Sequence, residues 1–590
     1  MARPRAKAIL LSAVSLAALA GVGALGAKVT TERSLVAAAA RAGATIGKVA
    51  ANPLNGRITL GDIRLATGAA IITIGQVSTI GGPALIAPAF AAEDVTLENV
   101  TVTVGPIRYD MPRMVFTGSS LDRASLAALF AANAPDTLAN RLAKISASSV
   151  VIPEVKYEFN FSFDGESSQT IGTYTNIAFR DVVNGVAANY TQASATSSTT
   201  SRRDKPASPS PGKGDGSTSQ PAEPVTEVTT ATGTSGSMRI DAFDIAAMTR
   251  LYTEGAGAGP NPPVKIHGPY TLANMVITNP NGTKVTIADI SGDGFVARLS
   301  KIPLMSLMES LQKLPMDEAH KQESSFKILT EALSAWDSIV ATSATIKNVK
   351  VDLPEPAHST FTVGDVVVGI GNNPNPQQAN PAYPAQGGLR VSMNNAVFAL
   401  PADAENDFAK RLIAMGYKDL SLSFTIEGRL NEAGKELVIN EFSFGGKDMG
   451  KAAVSAVIGN VTPDLLSSEE AVRNAAGMAL TVKNLAVTVN NAGLADKLLA
   501  EEAAKQNKSP DTLKTEYGMI ATVGVPSFLG GSPESKALGA AVARFIAKPG
   551  QLAVKAAAKD AAGFGLADYG ATGGQPAAIL EQINLTAEAK

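Results

Sequence analysis

Cysteine is absent from this sequence, and its absence excludes several kinds of site. With no Cys in 590 residues, the chain has no disulfides, no thiolate zinc sites and no cysteine nucleophiles. An exported protein without cysteine fits a bacterial periplasm better than a eukaryotic secretory route, because secretory domains rely on disulfides more often.

Histidine, aromatic residues and net charge are also scarce. The three histidines, His267, His320 and His358, have no second ligand at metal spacing, so we predict no metal site. Lys and Arg number 51 against 53 Asp and Glu, a net charge of −2, and no basic block follows the first seven residues. This pattern lacks the electrostatic footprint of a nucleic-acid binder, and we predict no nucleic-acid partner.

The motifs of catalysis and cofactor binding are missing as well. No Gly-x-Ser-x-Gly elbow occurs, and Gly369-Ile370-Gly371 leads into Asn-Asn-Pro instead of the helix that a phosphate cradle needs. Asp289 and Asp293 in "DISGDG" are typical of a tight turn and lack the later ligands of a calcium loop. We therefore predict no catalytic residues, no cofactor and a protein that is not an enzyme. A hydrolase built around one of the histidines is a minor alternative.

The first 28 residues indicate export. Arg3, Arg5 and Lys7 form a basic head, and Ala8 to Ala27 carry no charge; as a helix these twenty residues would rise about 30 Å, enough to cross a bilayer. Ala18-Leu19-Ala20 is also a good cleavage site for a signal peptide. Residues 1–28 are therefore either a cleaved signal or a retained anchor. We favour a periplasmic protein held in the inner membrane by residues 8–27.

Beyond this segment the hydrophobic period changes to two. Stretches such as "RITLGDIRLATG" and "DVTLENVTVTVGPIRYDM" alternate apolar and polar residues between turn signals, which predicts antiparallel strands. Residues 302–314 and 323–340 instead have the spacing of amphipathic helices. The predicted fold class is α+β, with curved antiparallel sheets and packed amphipathic helices after one N-terminal hydrophobic helix.

Composition and a short internal echo suggest the domain organisation. Ser, Thr, Pro and Gly dominate residues 191–236, which predicts a disordered insertion within a hairpin. Ile145 to Pro153 and Ile346 to Pro354 share a pattern, although the echo is short enough for chance to be an alternative. We predict a β-rich half at 29–316 and a second α+β half at 317–590 that is more helical after residue 462.

The sequence pattern of the first predicted strands resembles that of a known group of proteins. "NPLNGRITLGDIRL", "LENVTVTV" and "IKNVKVDL" are similar to the strands of AsmA-like envelope proteins, mainly over residues 1–105, and "FIAKPGQLAV" looks like the YdgA-like group. The resemblance implies an inner-membrane anchor and a long curved sheet with an apolar inner face. It also implies a role in lipid transport or outer-membrane homeostasis, and it supplies no catalytic residues.

These observations favour a non-enzymatic periplasmic protein that binds phospholipid or a lipid-like ligand in an apolar groove. The side chains predicted to line the groove come from the two amphipathic helices: Leu304, Leu307, Leu311, Phe326 and Trp336. The alternative is a scaffold that binds other envelope proteins through sheet edges or through its helical C-terminal third.

Overall fold

The structure is a computed structural model that describes residues 44–590, with gaps. The gaps fall at 53–56, 68–69, 81–93, 105, 120–136, 164–165, 206–224, 313, 315–323, 325–326, 329, 332–337, 355–358, 373–381, 384–386, 402–405, 468, 572 and 574. The hydrophobic helix predicted for residues 8–27 lies outside the described residues, as does most of the helix predicted for 323–340.

The chain divides into two compact units, Met1–Val340 and Ala341–Lys590. The sequence placed this seam near residue 316. We assign strand β16, which begins just before the boundary, to the second unit. Each unit is described by itself below.

Unit 1 is built around an antiparallel meander. Strands β1 to β7 pair in chain order, and β7 then pairs with β8 through one half and with β9 through the other. The described strands of unit 1 are β1 (Ala44–Asn52), β2 (Arg57–Thr67), β3 (Ala70–Ile80), β4 (Asp94–Val104), β5 (Ile107–Thr117), β6 (Ala147–Phe163), β7 (Glu166–Val183), β8 (Val186–Gln192), β9 (Ser194–Lys205), β10 (Val225–Ser235), β11 (Met238–Asp244), β12 (Val264–His267), β13 (Tyr270–Thr278), β14 (Lys284–Gly292) and β15 (Phe295–Ala297).

The insertion predicted to be disordered at 191–236 is largely a β-hairpin, so that prediction was wrong for its two arms. β9 and β10 pair antiparallel from Ala195↔Ser235 to Lys205↔Val225, and residues 206–224 between them are not described. Threonine favours strands, and the cross-strand hydroxyls of Thr170 and Thr199 bond at 2.9 Å. The flanking strands do pair as the sequence predicted, since β8 joins β11.

Unit 2 is an antiparallel sheet in which consecutive strands are neighbours. Pairing runs in chain order from β16 to β23, and β25 then completes the sheet beside β23, while β24 pairs with β22. The strands are β16 (Ile339–Asp352), β17 (Thr360–Ile370), β18 (Leu389–Ala399), β19 (Asp419–Asn431), β20 (Glu436–Gly446), β21 (Gly450–Gly459), β22 (Thr481–Asn491), β23 (Gln551–Ala558), β24 (Phe564–Gly565) and β25 (Ile583–Ala589).

Helices occupy the connections between strands. The described helices are α1 (Leu138–Leu142), α2 (Ile245–Thr253), α3 (Leu304–Gln312), α4 (Asp407–Ala414), α5 (Glu470–Met478), α6 (Leu494–Lys505), α7 (Pro510–Phe528), α8 (Pro533–Ala547), α9 (Leu566–Ala571) and α10 (Pro576–Gln582), with a 3₁₀ turn at Pro463–Leu466.

Two helices, α7 and α8, begin after a serine that caps the first turn. Ser509 and Ser532 accept hydrogen bonds from the backbone N–H groups of Thr512 and Ser535, and each is followed by proline in the first turn. This satisfies one of the free donors at each helix start. Thr462 makes no such bond, and the element after it is the 3₁₀ turn.

A repeated feature of the strands is an Asn or Asp in left-handed conformation at mid-strand. Asp62, Asn99, Asn176, Asn348 and Asn395 have φ between 50° and 55°. The regular pairing skips Asp62 and Asn99 between β1 and β5, Asn176 between β6 and β7, and Asn348 and Asn395 between β16 and β18. We call each line of skipped positions a phase-shift row, because the side-chain alternation changes by one residue across it.

The phase shift turns residues three apart toward the same side. Leu97 and Val100, on either side of Asn99, are both fully buried, and their partners Met114 and Met111 are buried as well. In a regular strand residues three apart would face opposite sides. The row therefore adds apolar side chains to one face of the sheet.

The predicted fold class was wrong. Strands dominate the described residues, and every strand pairing described above is antiparallel, so the fold is mostly antiparallel β and not a balanced α+β assembly. The error has a physical cause: Thr- and Ser-rich segments with few apolar residues, β9 and β10, extend the sheet through cross-strand pairing, which composition alone does not reveal.

Candidate functional site: an open apolar sheet face

One face of the sheet in unit 2 is apolar across nine neighbouring strands. Cross-strand partners point to the same side of a sheet, so the register defines rows of side chains. The first row is Ala344, Val368, Val391, Ile426, Phe442, Val454, Val487, Val554 and Ala587. The second is Ile346, Val366, Met393, Phe424, Phe444, Ala452, Val489, Leu552 and Ala589.

The middle of this face is uncovered. Six large apolar side chains of β19, β20 and β22 are between 38% and 55% exposed. We call this group the open apolar face: Ile426, Leu430, Phe442, Phe444, Val482 and Leu485. Contiguous exposed apolar surface of this kind marks binding sites more often than single exposed residues do.

The register places all six on the same side although two irregularities interrupt the pairing. Ile426 faces Phe442 directly, and Leu430 faces Leu437 beyond a shift in which β20 has one extra residue. A similar shift between β21 and β22 brings Val482 opposite Ile458. Extra residues of this kind are β-bulges. Because one strand has an additional residue at the bulge, the apolar side chains beyond it stay on the same side of the sheet as those before it.

One end of the apolar face is covered by α8. The helix packs against β25 and β23, and the odd-numbered residues of β25 are partly buried while Asn584, Thr586 and Glu588 are exposed. α8 therefore lies on the side of Leu585 and Ala587, which continues the open apolar face. This cover ends before β22.

The opposite face of the same strands is polar and internally paired. Arg390 on β18 and Glu427 on β19 form an ion pair at 2.5 Å, and the Glu427 side chain is only 9% exposed. On β20, Glu441 accepts from Lys451 at 2.6 Å and from the Ser443 hydroxyl at 2.7 Å. Burial favours a higher pKa for Glu441, but these hydrogen bonds outweigh it and lower the pKa of that carboxyl.

The lining predicted from the sequence belongs to unit 1 and differs from this site. Leu304 packs against a cluster of Ala247, Leu251, Ile266 and Ala297, and Leu307 on the same helix is buried. Phe326, Trp336 and the side chain of Leu311 lie outside the described residues. The structure thus joins Leu304 to an apolar core, and its role as ligand lining stays a prediction.

Sequence reasoning missed the open apolar face, although its signal is present. "NEFSFGG" at 440–446 alternates Phe442 and Phe444 with residues that are polar or small, which is typical of a strand with one apolar face. The sequence does not show that no helix covers that face, because cover depends on where distant segments pack.

The described part of the chain contains neither a cluster of side chains that could bind a metal ion nor a helix that could span a membrane. No group of three or more His, Asp or Glu side chains there has the geometry of a metal site. Among the same residues, no helix is both long enough and apolar enough to cross a bilayer.

Comparison with known proteins gives a match in the C-terminal part of the chain. A family model described as "Uncharacterized protein" matches residues 443–590, which include the end of β20 and all of the strands that follow. No curated protein matches the chain. The AsmA-like and YdgA-like resemblance therefore stays a prediction.

Proposed function

We propose that this protein is a non-enzymatic periplasmic protein that binds the acyl chain of a phospholipid or a similar lipid on the open apolar face. The observation that supports the proposal is the exposure of six large apolar side chains on one sheet face, backed by a polar face on the other side. Each methylene that such a surface buries contributes about 0.8 kcal/mol. Lipid transport or outer-membrane homeostasis would follow from such binding.

The central residues of the site are Phe442 and Phe444. They lie two apart on β20, facing Ile426 and Phe424 on β19, so an extended chain crossing the strands would contact both rings. Because both rings are more than half exposed, they can be replaced by polar residues with little loss of packing. Binding and folding can therefore be tested separately.

The experiment measures displacement of a fluorescent fatty acid by palmitate on the full chain. We expect Phe442→Asp/Phe444→Asp to weaken palmitate binding at least tenfold, because a charge enters an apolar contact surface. The matched control is Phe408→Asp on α4, whose ring is 68% exposed and lies outside the face. If the wild-type chain binds no palmitate, or if both variants bind equally, the lipid proposal is wrong.

A second candidate function, protein interaction, has its own supporting observation. The second half of α7 exposes Met519, Ile520, Val523 and Phe528, and residues 518–531 carry no charge. A photo-crosslinking residue at Val523 should capture an envelope protein, whereas one at Thr515, in the polar half of the same helix, should not. Equal yields at the two positions would contradict this alternative.

A further inference from the structure

The polar face of unit 2 contains a concavity of about 540 Å³ that spans β20 to β23 and β25. Its lining includes Asn584 and Thr586 of β25 but not Leu585, whose side of the strand is covered by α8. Leu485 also borders the concavity, because it lies between Asn484 and Ala486 on β22, but the strand alternation places its side chain on the open apolar face. The concavity thus lies on the side opposite the open apolar face. Its volume is within the range of small-molecule sites, about 300–1,000 Å³.

The register explains why the sheet surface is hollow there. Two cross-strand rows place alanine between longer polar side chains, and we call the result the alanine-floored trough. One row is Val457, Asn484, Ala557 and Asn584, and the other is Ser455, Ala486, Lys555 and Thr586. Because the side chains of Ala486 and Ala557 are short, the space above them is not filled by the neighbouring side chains.

The polar groups around the trough have free hydrogen-bonding capacity. Asn484 and Asn584 are exposed, and within the described residues their amides make no side-chain hydrogen bond. An amide both donates and accepts, as vicinal hydroxyls do, so two amides and the Thr586 hydroxyl match the alternating donors and acceptors of a sugar ring.

Charge and aromatic content narrow the ligand class. Lys555 is the one charged side chain in the lining, and it has no ion-pair partner in the described part of the chain. Among the described residues no aromatic ring lines the trough, so the stacking that holds nucleobases is not provided. An anion is favoured over a cation, and a hydroxylated ring over a flat heterocycle.

We propose that the alanine-floored trough binds a sugar that carries one anionic group, either the carboxylate of a uronate or the phosphate of a sugar phosphate. Lys555 holds the anionic group, and Asn484, Asn584 and Thr586 hold the ring hydroxyls. All four residues fall within the segment matched by the family model, 443–590. The site is independent of the lipid proposal, because its side chains are on the other face of the sheet.

The experiment is calorimetric titration of the full chain with four probes: glucuronic acid, glucose 1-phosphate, glucose and inorganic phosphate. At least one charged sugar should bind more tightly than both glucose and phosphate, and the better of the two identifies the anionic group. Lys555→Gln should raise the dissociation constant of that sugar about tenfold, as expected for loss of a charge-assisted hydrogen bond, while glucose binding is unchanged. Asn484→Ala should weaken the binding of that charged sugar and of glucose alike.

Controls separate this result from misfolding and from the lipid site. Lys536→Gln removes an exposed charge on α8 and should leave every titration unchanged, and the melting temperature of each variant checks its fold. Phe442→Asp/Phe444→Asp should retain sugar binding. Phosphate binding as tight as the sugars, no binding of any probe, or no effect of Lys555→Gln would each overturn the proposal.

Discussion

Gly75 on β3 lies directly beside Asn99 on β4, where the phase-shift row crosses the two strands. A Cβ atom added to Gly75 would lie 2.9 Å from the Cβ of Asn99, closer than two such carbons can pack. Asn99 itself has φ of 53°. The left-handed residue on one strand thus requires a glycine on the next, and Gly47 beside Asp62 repeats this relationship at 2.9 Å.

Gly75→Ala should destabilise the protein by about 1–3 kcal/mol, because the Cβ of Asn99 is fixed in position by the backbone of its strand and cannot rotate away from the added methyl group. Chemical denaturation followed by circular dichroism measures the loss. The matched control is Gly257→Ala, where an added Cβ meets nothing within 4 Å. Similar denaturation curves for the two variants would show that the close approach is not a constraint.

The backbone conformation of Asn348 predicts a contrast between two substitutions. Its φ of 52° suits asparagine and glycine but not a β-branched residue, for which this region is strained by about 1–2 kcal/mol. We expect Asn348→Val to lower the free energy of unfolding by that amount and Asn348→Gly to change it little. Denaturation midpoints measure both, and a reversed order would mean that the side chain of Asn348, not its φ, matters.

Local alternation predicted most strands, because a period of two follows directly from strand geometry. It did not predict the phase-shift rows. Leu97 and Val100 are three apart, a spacing that suggests a helix or two opposite faces, and only the left-handed Asn99 brings them to one side. The phrases around Asn99 and Asn348 were similar in sequence, yet their shared conformation follows from pairing with neighbouring strands.

The candidate site could be predicted less well than the strands, because it depends on contacts between segments that are far apart in the sequence. That β20 has an apolar face follows from Phe442 and Phe444 alone. That this face is open depends on α8 covering β23 and β25 but not β20, a contact between distant segments. In α3, one of the two helices chosen from the sequence as lining, Leu304 packs on a core within its own unit, and Leu307 is buried.

Gly539 in α8 predicts a packing constraint between α7 and α8. A Cβ there would lie 2.7 Å from the backbone oxygen of Ala521 and 3.0 Å from the ring of Pro526. Gly539→Ala should cost about 1–3 kcal/mol through overpacking. Gly477→Ala in α5, where an added Cβ meets nothing within 4 Å, should instead stabilise by about 0.5–1 kcal/mol through helix propensity. Opposite shifts in melting temperature are expected, and shifts of the same sign would contradict the packing account.

The carboxyl of Glu441 predicts how stability responds to acid. Burial acts to raise its pKa, but hydrogen bonds from Lys451 and Ser443 prevail, so the folded-state pKa lies below the ordinary value of 4.5. A lowered folded-state pKa stabilises the protein above pH 4.5, and this contribution is lost as the pH falls through the folded-state pKa. Since Lys451 is about half exposed, the contribution is under about 1 kcal/mol.

The test compares the wild-type chain with Glu441→Gln in denaturation experiments from pH 7 down to pH 3. Glutamine keeps the size and much of the hydrogen bonding of the side chain but removes its charge. The wild type should be the more stable protein at pH 7, and the difference should shrink as the pH falls below 4.5. A constant difference over the whole range would mean that the ionised state of Glu441, and with it the cross-strand ion pair with Lys451 on β21, does not contribute to stability.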